Sequence, residues 1–282
     1  MKKPSLETMY HLSGDISDLW MEKLFPKEAQ GCINFGYWKG ISYPLTKEKR
    51  ILAQKQLYFL LFQQIPNASS HILEVGCGRG HGVFWLQKLG FSAYGIDCLK
   101  TQIETCIHAY PNYASRFSQG TAENLPFPNQ SFDAVYALES SQHFSSFHQF
   151  CLEAHRTLRS HGILILSTYF ILNQEKLSLL KKLIPDTLEG THNALVLDNA
   201  LTLCKSAGFN VSSLTFLGEN IFPFYANWHH HQLKSTPLEA LTPERKRWIP
   251  YYTGGTKGHK HPWEQAFREQ ILEYPMIVLQ KP

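Results

Sequence analysis

The chain has 282 residues, of which 43% are hydrophobic and 18% are charged, so it can bury one large core or a core with an appended subdomain. Its formal net charge is +4, but lysines and arginines are scattered rather than clustered with aromatic residues, and nothing favours nucleic acid as a partner. Six cysteines without a CxxC pair predict reduced thiols in the cytoplasm, and the apolar runs predict neither a signal peptide nor integral membrane association.

The N-terminal 66 residues are predicted to form a helical cap ahead of the core. Thr46 is suited to begin a helix, because its hydroxyl can accept a backbone N–H, and the apolar residues that follow share one helical face. These residues are Ile51, Tyr58, Leu61 and Ile65. Before this helix, Tyr37 and Trp38 form an aromatic pair that either covers a ligand or anchors the cap helix.

A glycine-rich turn between a strand and a helix is the most informative pattern in the chain. An apolar strand at residues 71–75 leads into Glu-Val-Gly-Cys-Gly-Arg-Gly at residues 74–80, where glycines let the backbone approach a ligand closely. A second strand, residues 93–96, follows at the spacing of a βαβ unit and ends at Asp97. Because an acid at this position can bind a ribose diol, the pattern predicts a nucleotide-cofactor site.

The spacing of the glycines separates two classes of cofactor. A dinucleotide-binding loop has glycines at positions i, i+2 and i+5, whereas position i+5 from Gly76 is His81. The chain instead continues with Gly78 and Gly80, and Glu74 lies two residues ahead of the first glycine. A carboxylate there repels phosphate and attracts a cation, so the spacing disfavours a nicotinamide-dependent dehydrogenase.

This motif resembles the first motif of the class I S-adenosylmethionine (SAM) methyltransferases, an acid followed by three alternating glycines. Residues 95–97 resemble the second strand of that family, 120–127 its adenine-flanking loop, and 132–136 its fourth strand. The segment 139–143, Glu-Ser-Ser-Gln-His, resembles that of small-molecule enzymes such as the tocopherol C-methyltransferases and the rebeccamycin sugar O-methyltransferase. The resemblance covers residues 34–217 and the last strand.

The resemblance implies a set of cofactor-binding residues. Asp97 is expected at the ribose, and Tyr37 is expected to cover the methionine end of SAM. Thr121 stands where many relatives have Asp, so a hydroxyl, Glu123 or the backbone has to serve the adenine amino group. The full expected set is Tyr37, Glu74, Gly76, Cys77, Gly78, Gly80, Asp97, Cys98, Gln102, Thr121, Ala122, Glu123 and Leu138.

Two residues after the fourth strand are the candidates for catalysis. His143 is a candidate base for a hydroxyl acceptor, because imidazole titrates near neutral pH. Glu139 is a candidate to stabilise a developing carbocation on a carbon acceptor. The alternatives are structural: His143 bonds backbone at a strand-to-helix turn, or Glu139 fixes the loop under the cofactor.

Between residues 67 and 217 strands and helices alternate, which predicts an α/β, Rossmann-like core with a mostly parallel sheet. Ser146 is expected to cap one helix and Asp198 another. His161 and the glycine after it are expected to form the turn before the strand 163–167.

Residues 218–273 exceed the usual length of a connection and are predicted to form a lid before a final core strand at 274–282, which the family resemblance implies to be antiparallel. The segment is rich in aromatic residues, which either wall an apolar pocket or pack as a subdomain core. They are Phe222, Phe224, Tyr225, Trp228, Trp248, Tyr251, Tyr252 and Trp263.

Histidines in this insert suggest a metal site only weakly. His229, His230 and His231 are adjacent and point in different directions, and His259 and His261 lack acidic or cysteine neighbours at ligand spacing. We therefore predict no metal.

The implied function is transfer of a methyl group from SAM to a small, partly apolar acceptor. O-methylation is slightly favoured over C-methylation, and a cyclopropane-type alkylation of lipid is a neighbouring variant. The alternative is a SAM-binding regulatory or assembly protein without catalysis, because the glycine loop and Asp97 bear on binding and not on transfer.

Overall fold

A computed structural model of the chain describes residues 32, 34–66, 70–184, 196–235 and 261–282. They group into two compact units. The sheet unit contains the described residues of 58–170, 191–216 and 274–282, and the helical unit those of 1–57, 171–190 and 217–273. The domain boundaries drawn from the sequence stay a prediction.

The sheet unit is built on a seven-stranded sheet with the order β3-β2-β1-β4-β5-β9-β7. Strands β1 to β5 are parallel, and β9 runs antiparallel to both β5 and β7. The nine strands of the described chain are β1 (His71–Val75), β2 (Ser92–Asp97), β3 (Phe117–Gln119), β4 (Phe132–Leu138), β5 (Leu158–Ser167), β6 (Phe170–Ile171), β7 (Asn210–Phe216), β8 (Leu272–Glu273) and β9 (Pro275–Gln280). The predicted α/β class and the antiparallel last strand are confirmed.

Helices connect three of the four successive pairs of parallel strands, as the alternation in the sequence predicts, whereas β3 leads into β4 without a helix. The described helices are α1 (Lys47–Phe62), α2 (His81–Lys88), α3 (Lys100–Ala109), α4 (Phe147–Thr157), α5 (Leu177–Leu183), α6 (Leu197–Ser206), α7 (Phe222–Ser235) and α8 (Pro262–Arg268). The predicted apolar face of α1 is buried at Ile51, Tyr58 and Leu61, and Ile65 just beyond the helix is buried as well.

The centre of the sheet lies at β1 and β4. Ile72 and Leu73 of β1, and Val135 and Tyr136 of β4, have no exposed surface, which is typical of parallel strands covered on both faces. The strand order reverses between these two strands, since β2 and β3 lie on one side and β5 on the other. In open α/β sheets ligands bind at the carboxyl ends of the strands at such a switch point.

Local signals at two later elements give mixed results. Ser146 caps α4 as predicted, and its Oγ accepts a hydrogen bond from the backbone of Gln149 at 3.2 Å. Asp198 is not a cap: Val196 precedes α6 in an extended conformation, and Asp198 lies in the first turn, where a negative charge suits the helix dipole.

The predicted beginning of β5 is also wrong. The strand starts at Leu158, which already pairs with Phe132, so His161 lies inside the strand rather than before it. His161 adopts a left-handed conformation with φ +62°, and the register with β4 shifts between Phe132 and Ala134. The paired residues of β5 are Leu158 and then Ile163 onward, so the turn signal at His161 falls in the interruption between them.

The helical unit has an aromatic core. The rings of Phe222 and Trp263 are stacked with centroids 6.0 Å apart, and Phe35 meets Tyr225 and Trp263 edge-on at 4.6 and 4.8 Å. Trp228 and the partly buried Phe224 pack in a second cluster. Trp248, Tyr251 and Tyr252 lie outside the described residues, so a pocket-lining role for the predicted lid stays a prediction.

A clamp on α1 holds the segment before it in the helical unit. The guanidinium of Arg50 donates hydrogen bonds to the backbone carbonyls of Asn34 and Phe35, and the amide of Gln54 donates to the carbonyl of Cys32. The backbone N–H of Tyr37 donates to the Ala53 carbonyl at 2.8 Å. These bonds orient the Tyr37–Trp38 pair. Along the described residues, no helix has the length and apolar character needed to cross a bilayer.

Candidate functional site

The glycine loop follows β1 with its three glycines in left-handed conformations. The φ angles of Gly76, Gly78 and Gly80 are +76°, +51° and +78°, values that are costly for residues with a Cβ. A Cβ on Gly76 would also lie 2.4 Å from the Cβ of Ser140, just beyond the end of β4. Ser140 Oγ donates to the Val75 carbonyl at 2.7 Å, so the loop and the end of β4 are in direct contact.

Asp97 lies against the same loop, as the sequence predicts. Its Oδ2 accepts a hydrogen bond from the Gly78 N–H at 2.9 Å, and its Oδ1 accepts one from the Leu99 N–H at 3.0 Å. Burial raises the pKa of Asp97, and the two backbone hydrogen bonds act in the opposite direction. Each carboxylate oxygen keeps a second lone pair, which suits it to a ribose diol.

Glu74 is buried beneath the loop, with 1% of its surface exposed. The Tyr58 hydroxyl donates to Glu74 Oε1 at 3.2 Å, and the Tyr136 hydroxyl and the Val83 N–H also interact with this carboxyl. Burial outweighs these interactions and raises the pKa of Glu74 to about 8. The group is therefore mostly neutral at pH 7 and joins β1, β4 and the first turn of α2; its predicted contact with the cofactor stays a prediction.

Two thiols lie under the loop. Cys77 Sγ and Cys106 Sγ are 4.0 and 3.1 Å from the Gly78 carbonyl oxygen. The hydrogen bond with Cys106 and burial raise the pKa of Cys77 well above its ordinary value, so both factors favour the neutral thiol. Cys77 is thus a packing residue of the loop. Cys98, directly after Asp97, is exposed.

The predicted adenine-flanking loop lies beside the end of β2. The Gly120 N–H donates to the Asp97 carbonyl at 3.0 Å, so Thr121 and Ala122 follow directly after a residue that is bonded to Asp97. Thr121 is exposed and Ala122 is buried. Glu123 is used elsewhere, since its Oε1 accepts from the Ser146 N–H at the beginning of α4 at 3.0 Å.

Two further residues of the predicted set occupy the edges of this region. Gln102 is buried on α3, where its N–H donates to the Leu99 carbonyl at 3.1 Å. Leu138 is the buried last residue of β4. Together with Asp97 and the glycine loop they lie on the sheet unit, whereas Tyr37 belongs to the helical unit and its predicted role stays a prediction.

Glu139 is held at the carboxyl end of β4 by Tyr274. Its backbone has φ +49°, a conformation that non-glycine residues rarely adopt, and its N–H donates to the Ser167 carbonyl at 2.8 Å. The hydroxyl of Tyr274, a fully buried residue, donates to Glu139 Oε1 at 2.7 Å. The sequence reasoning missed Tyr274, because 135 residues separate it from Glu139. The one signal in the sequence is its place as the first residue of the predicted last strand.

A hydrogen-bond chain surrounds His143. Gln142 Oε1 accepts from the Thr168 hydroxyl at 2.9 Å, and the orientation of the amide is fixed at its other end by the Glu139 carbonyl, which can only accept. The amide nitrogen then donates to the Glu139 carbonyl at 2.8 Å and lies 3.3 Å from His143 Nε2. Since Nε2 faces a donor, this arrangement places the imidazole proton on Nδ1 and engages the lone pair of Nε2.

The histidines of the helical unit are packed with aromatic rings. His229 lies 4.4 Å from the Tyr225 ring and 5.8 Å from the His261 ring, centroid to centroid. Burial lowers the pKa of both histidines, that of His261 to about 3. Within the described residues, no group of three or more His, Cys, Asp or Glu side chains is arranged to hold a metal ion. His259 lies outside those residues.

The strand order, the antiparallel β9 and the glycine loop at the switch point define the Rossmann-like fold of class I methyltransferases. Residues 73–166 match the family model described as "Methyltransferase domain". The matched stretch includes the glycine loop, Asp97, Glu139 and His143.

Curated relatives are similar over part of their length. The fatty-acid O-methyltransferase of Mycolicibacterium smegmatis is 33% identical over 135 residues, which are 46% of this chain and 49% of the relative. The phthiotriol/phenolphthiotriol dimycocerosates methyltransferase of Mycobacterium leprae is 37% identical over 112 residues, 39% of this chain and 42% of the relative. The chain thus spans slightly less than half the length of these relatives.

Solved structures match nearly the whole chain at low identity. The cyclopropane synthase MmaA2 from Mycobacterium tuberculosis has a TM-score of 0.73 and 17% identity, covering 95% of each chain. At this identity the likeness establishes the fold alone.

Proposed function

We propose that this chain is a SAM-dependent methyltransferase that acts on a lipid-like acceptor. One observation carries the proposal: the carboxylate of Asp97 is held 2.9 Å from the N–H of Gly78, at the switch point of a class I methyltransferase fold. The names of the two curated relatives support methyl transfer to long-chain or lipid substrates.

The loop fits a cofactor that approaches the backbone closely. A Cβ placed on Gly78 would meet no heavy atom within 4 Å, so the absence of a side chain leaves open space over the loop. Asp97 borders this space and has lone pairs for ribose hydroxyls. Gly76 and Gly78 are proposed at the methionine part, Thr121 and Ala122 at the adenine, and Tyr37 at the sulfonium end.

When bound, SAM supplies a methyl group that is already activated by a positively charged sulfur. The protein has to align the acceptor with that methyl group and exclude water. Glu139 and His143 follow the strand whose end touches the glycine loop through Ser140, so they are proposed on the acceptor side. The aromatic residues of 218–273 are proposed to cover an apolar acceptor.

The test is calorimetric titration of the protein with SAM and with S-adenosylhomocysteine (SAH). Replacing Asp97 by alanine removes the ribose partner and a hydrogen bond of the loop, so we expect the affinity for both compounds to fall at least about 100-fold, consistent with loss of a charged hydrogen bond of roughly 3 kcal/mol. Glu104→Ala, which removes an exposed acid on α3, is the matched control and should leave the affinity unchanged.

A wild-type protein that binds neither compound would contradict the proposal. Tight binding that Asp97→Ala does not weaken would contradict the assignment of the ribose site. Transfer of a labelled methyl group to extracted lipids separates an enzyme from a SAM-binding protein without catalysis. In an enzyme, Glu139→Gln and His143→Ala are expected to reduce turnover at unchanged SAH affinity.

A further inference from the structure

The carboxylate of Glu139 is held in one position at the end of β4. Glu139 adopts a left-handed backbone conformation, which is strained, and its Oε1 accepts a hydrogen bond from the hydroxyl of Tyr274 at 2.7 Å. Tyr274 has no exposed surface, and its hydroxyl is also 3.4 Å from the Ser167 carbonyl. A buried tyrosine therefore limits the directions that this carboxylate can take.

The negative charge of Glu139 also affects the pKa of a second tyrosine, Tyr169. Burial, and then the negative charge of Glu139, raise the pKa of Tyr169 well above its ordinary value. The same two causes raise the pKa of Tyr274 well above its ordinary value. Both phenols thus stay protonated at neutral pH, and Tyr274 acts on Glu139 as a hydrogen-bond donor.

Glu139 also lies next to the residue that contacts the glycine loop, on the side where we place the acceptor. The next residue, Ser140, hydrogen-bonds β1 at Val75 and would touch a Cβ on Gly76, so one residue separates the carboxylate-bearing position from the glycine loop. Glu139 is only half-buried, whereas Ser140 and Leu138 beside it are buried. His143, the other candidate, has its Nε2 directed at the amide of Gln142.

We propose that Glu139, positioned by Tyr274, takes the proton of a neutral hydroxyl, so that the acceptors are lipid alcohols or phenols and not carboxylic acids. This inference rests on the proposed function. The acceptor oxygen bonds to the methyl carbon as the carbon–sulfur bond breaks toward sulfur, and the hydroxyl proton moves to a Glu139 oxygen. An ionised carboxylic acid has no proton to give, and its charge is repelled by Glu139.

The test compares two amphiphiles of similar size, 4-nonylphenol and decanoic acid, at pH 8. At this pH the phenol, with a pKa of about 10, is neutral and the acid is ionised. Each is titrated into protein saturated with SAH, so binding is measured without transfer. We expect the wild type to bind the phenol at least about tenfold more tightly than the acid, since each tenfold is 1.4 kcal/mol.

Three variants test which residues cause the preference for the phenol over the acid. Glu139→Gln should bring the two affinities within about threefold of each other, since the repulsion is gone. Tyr274→Phe keeps the buried ring but removes the hydroxyl, and it should narrow the preference to an intermediate value. Tyr94→Phe removes a hydroxyl from β2 as a matched control and should leave the preference unchanged.

The outcomes separate this inference from the proposed function. SAH affinity is measured first on every variant; if the wild type does not bind SAH, the proposed function fails, and the lipid titrations without SAH still test the preference. If SAH binds, the inference is overturned by a wild type that prefers the acid or binds neither amphiphile. It is also overturned if both Glu139→Gln and Tyr274→Phe keep the wild-type preference.

Discussion

Glu74 is an acid whose burial makes the stability of the protein depend on pH. Its pKa is about 8 in the folded protein, against 4.5 for an exposed glutamate, so the folded state holds a proton that the unfolded state has released between these values. The contribution is fully present below pH 4.5 and is lost as the pH rises toward 8. The lowered pKa values of His229 and His261 act in the opposite direction. The unfolded state protonates these histidines more readily, so the protein loses stability as the pH falls below 6.5.

Replacing Glu74 by glutamine isolates this effect. The amide resembles the neutral acid, keeps an oxygen for the Tyr58 hydroxyl, and cannot ionise. We expect the stability of Glu74→Gln relative to the wild type to increase by about 3 kcal/mol between pH 5 and pH 8. Urea unfolding at several pH values measures this difference, in which the histidine contributions cancel. Exposed Glu104→Gln should give a flat difference, and a flat difference for Glu74→Gln as well would show that the folded protein holds Glu74 ionised.

Individual residues also mark the limit of what the sequence predicts. The sequence predicts Asp97 at the end of β2, because the βαβ pattern brings the carboxyl end of the second strand beside the loop after the first. In the structure Asp97 accepts a hydrogen bond from the N–H of Gly78 in that loop. The partner of Glu139 was not predicted, because it depends on which strand lies beside which. Only with β9 antiparallel to β5, and Met276 opposite Ser167, does Tyr274 come to the carboxyl end of the parallel strands.

At the scale of the element, the turn from β1 into α2 is where backbone conformation and packing act together. Gly76 has both a left-handed conformation and a neighbour, Ser140, that leaves no room for a Cβ. Gly90, in the turn after α2, has a similar φ of +91° but open space around it. A side chain at Gly90 would therefore cost only the strain of the left-handed conformation, whereas a side chain at Gly76 would also clash with Ser140.

Alanine substitutions at these two glycines should differ in stability. Gly90→Ala is expected to cost about 1–2 kcal/mol, the usual penalty of a left-handed conformation. Gly76→Ala should cost clearly more, because the end of β4 has to move, and it should also weaken SAH binding. Urea unfolding and calorimetry measure the two effects. In Gly76→Ala, a second change of Ser140 to glycine should recover part of the loss; equal costs for the two single variants would show that Ser140 moves away freely.

Elements were predicted best where one local signal decides. The apolar run of β1 and the cap of α4 are examples, and both are confirmed. The predicted start of β5 is wrong because Leu158 already pairs with Phe132, so the left-handed conformation of His161 interrupts the strand instead of preceding it. Asp198 was misassigned because acids are favoured both as caps and in the first turn of a helix.

At the scale of the whole molecule, the sheet places residues from distant parts of the chain around one switch point. Asp97 is the last residue of β2, the glycine loop follows β1, and Glu139 follows β4, and these three strands are neighbours in the sheet. Alternating strands and helices predict the class of fold, and the family resemblance predicts the antiparallel last strand. The arrangement of the helical unit could not be predicted, because its core depends on contacts of Phe35 with the rings of Tyr225 and Trp263, which are far away in the sequence.

Because the cofactor is proposed to bind the folded sheet unit and not the unfolded chain, it should stabilise the protein by mass action. SAH at 100 times its dissociation constant is expected to raise the free energy of unfolding by about 2.7 kcal/mol. For a protein of this size that corresponds to an increase in Tm of roughly 5–10 °C. NAD should have no such effect, because His81 stands where a dinucleotide-binding loop has its third glycine.

Thermal unfolding with SAH, NAD or neither compound checks both statements in one experiment. Asp97→Ala should lose the increase with SAH, whereas Glu104→Ala should keep it, so that the shift in Tm is traced to Asp97 and not to removal of a negative charge. An increase with NAD that exceeds the increase with SAH would overturn the argument from glycine spacing, since the site would then accept a pyrophosphate. An increase with SAH that persists in Asp97→Ala would place the SAH site away from the end of β2.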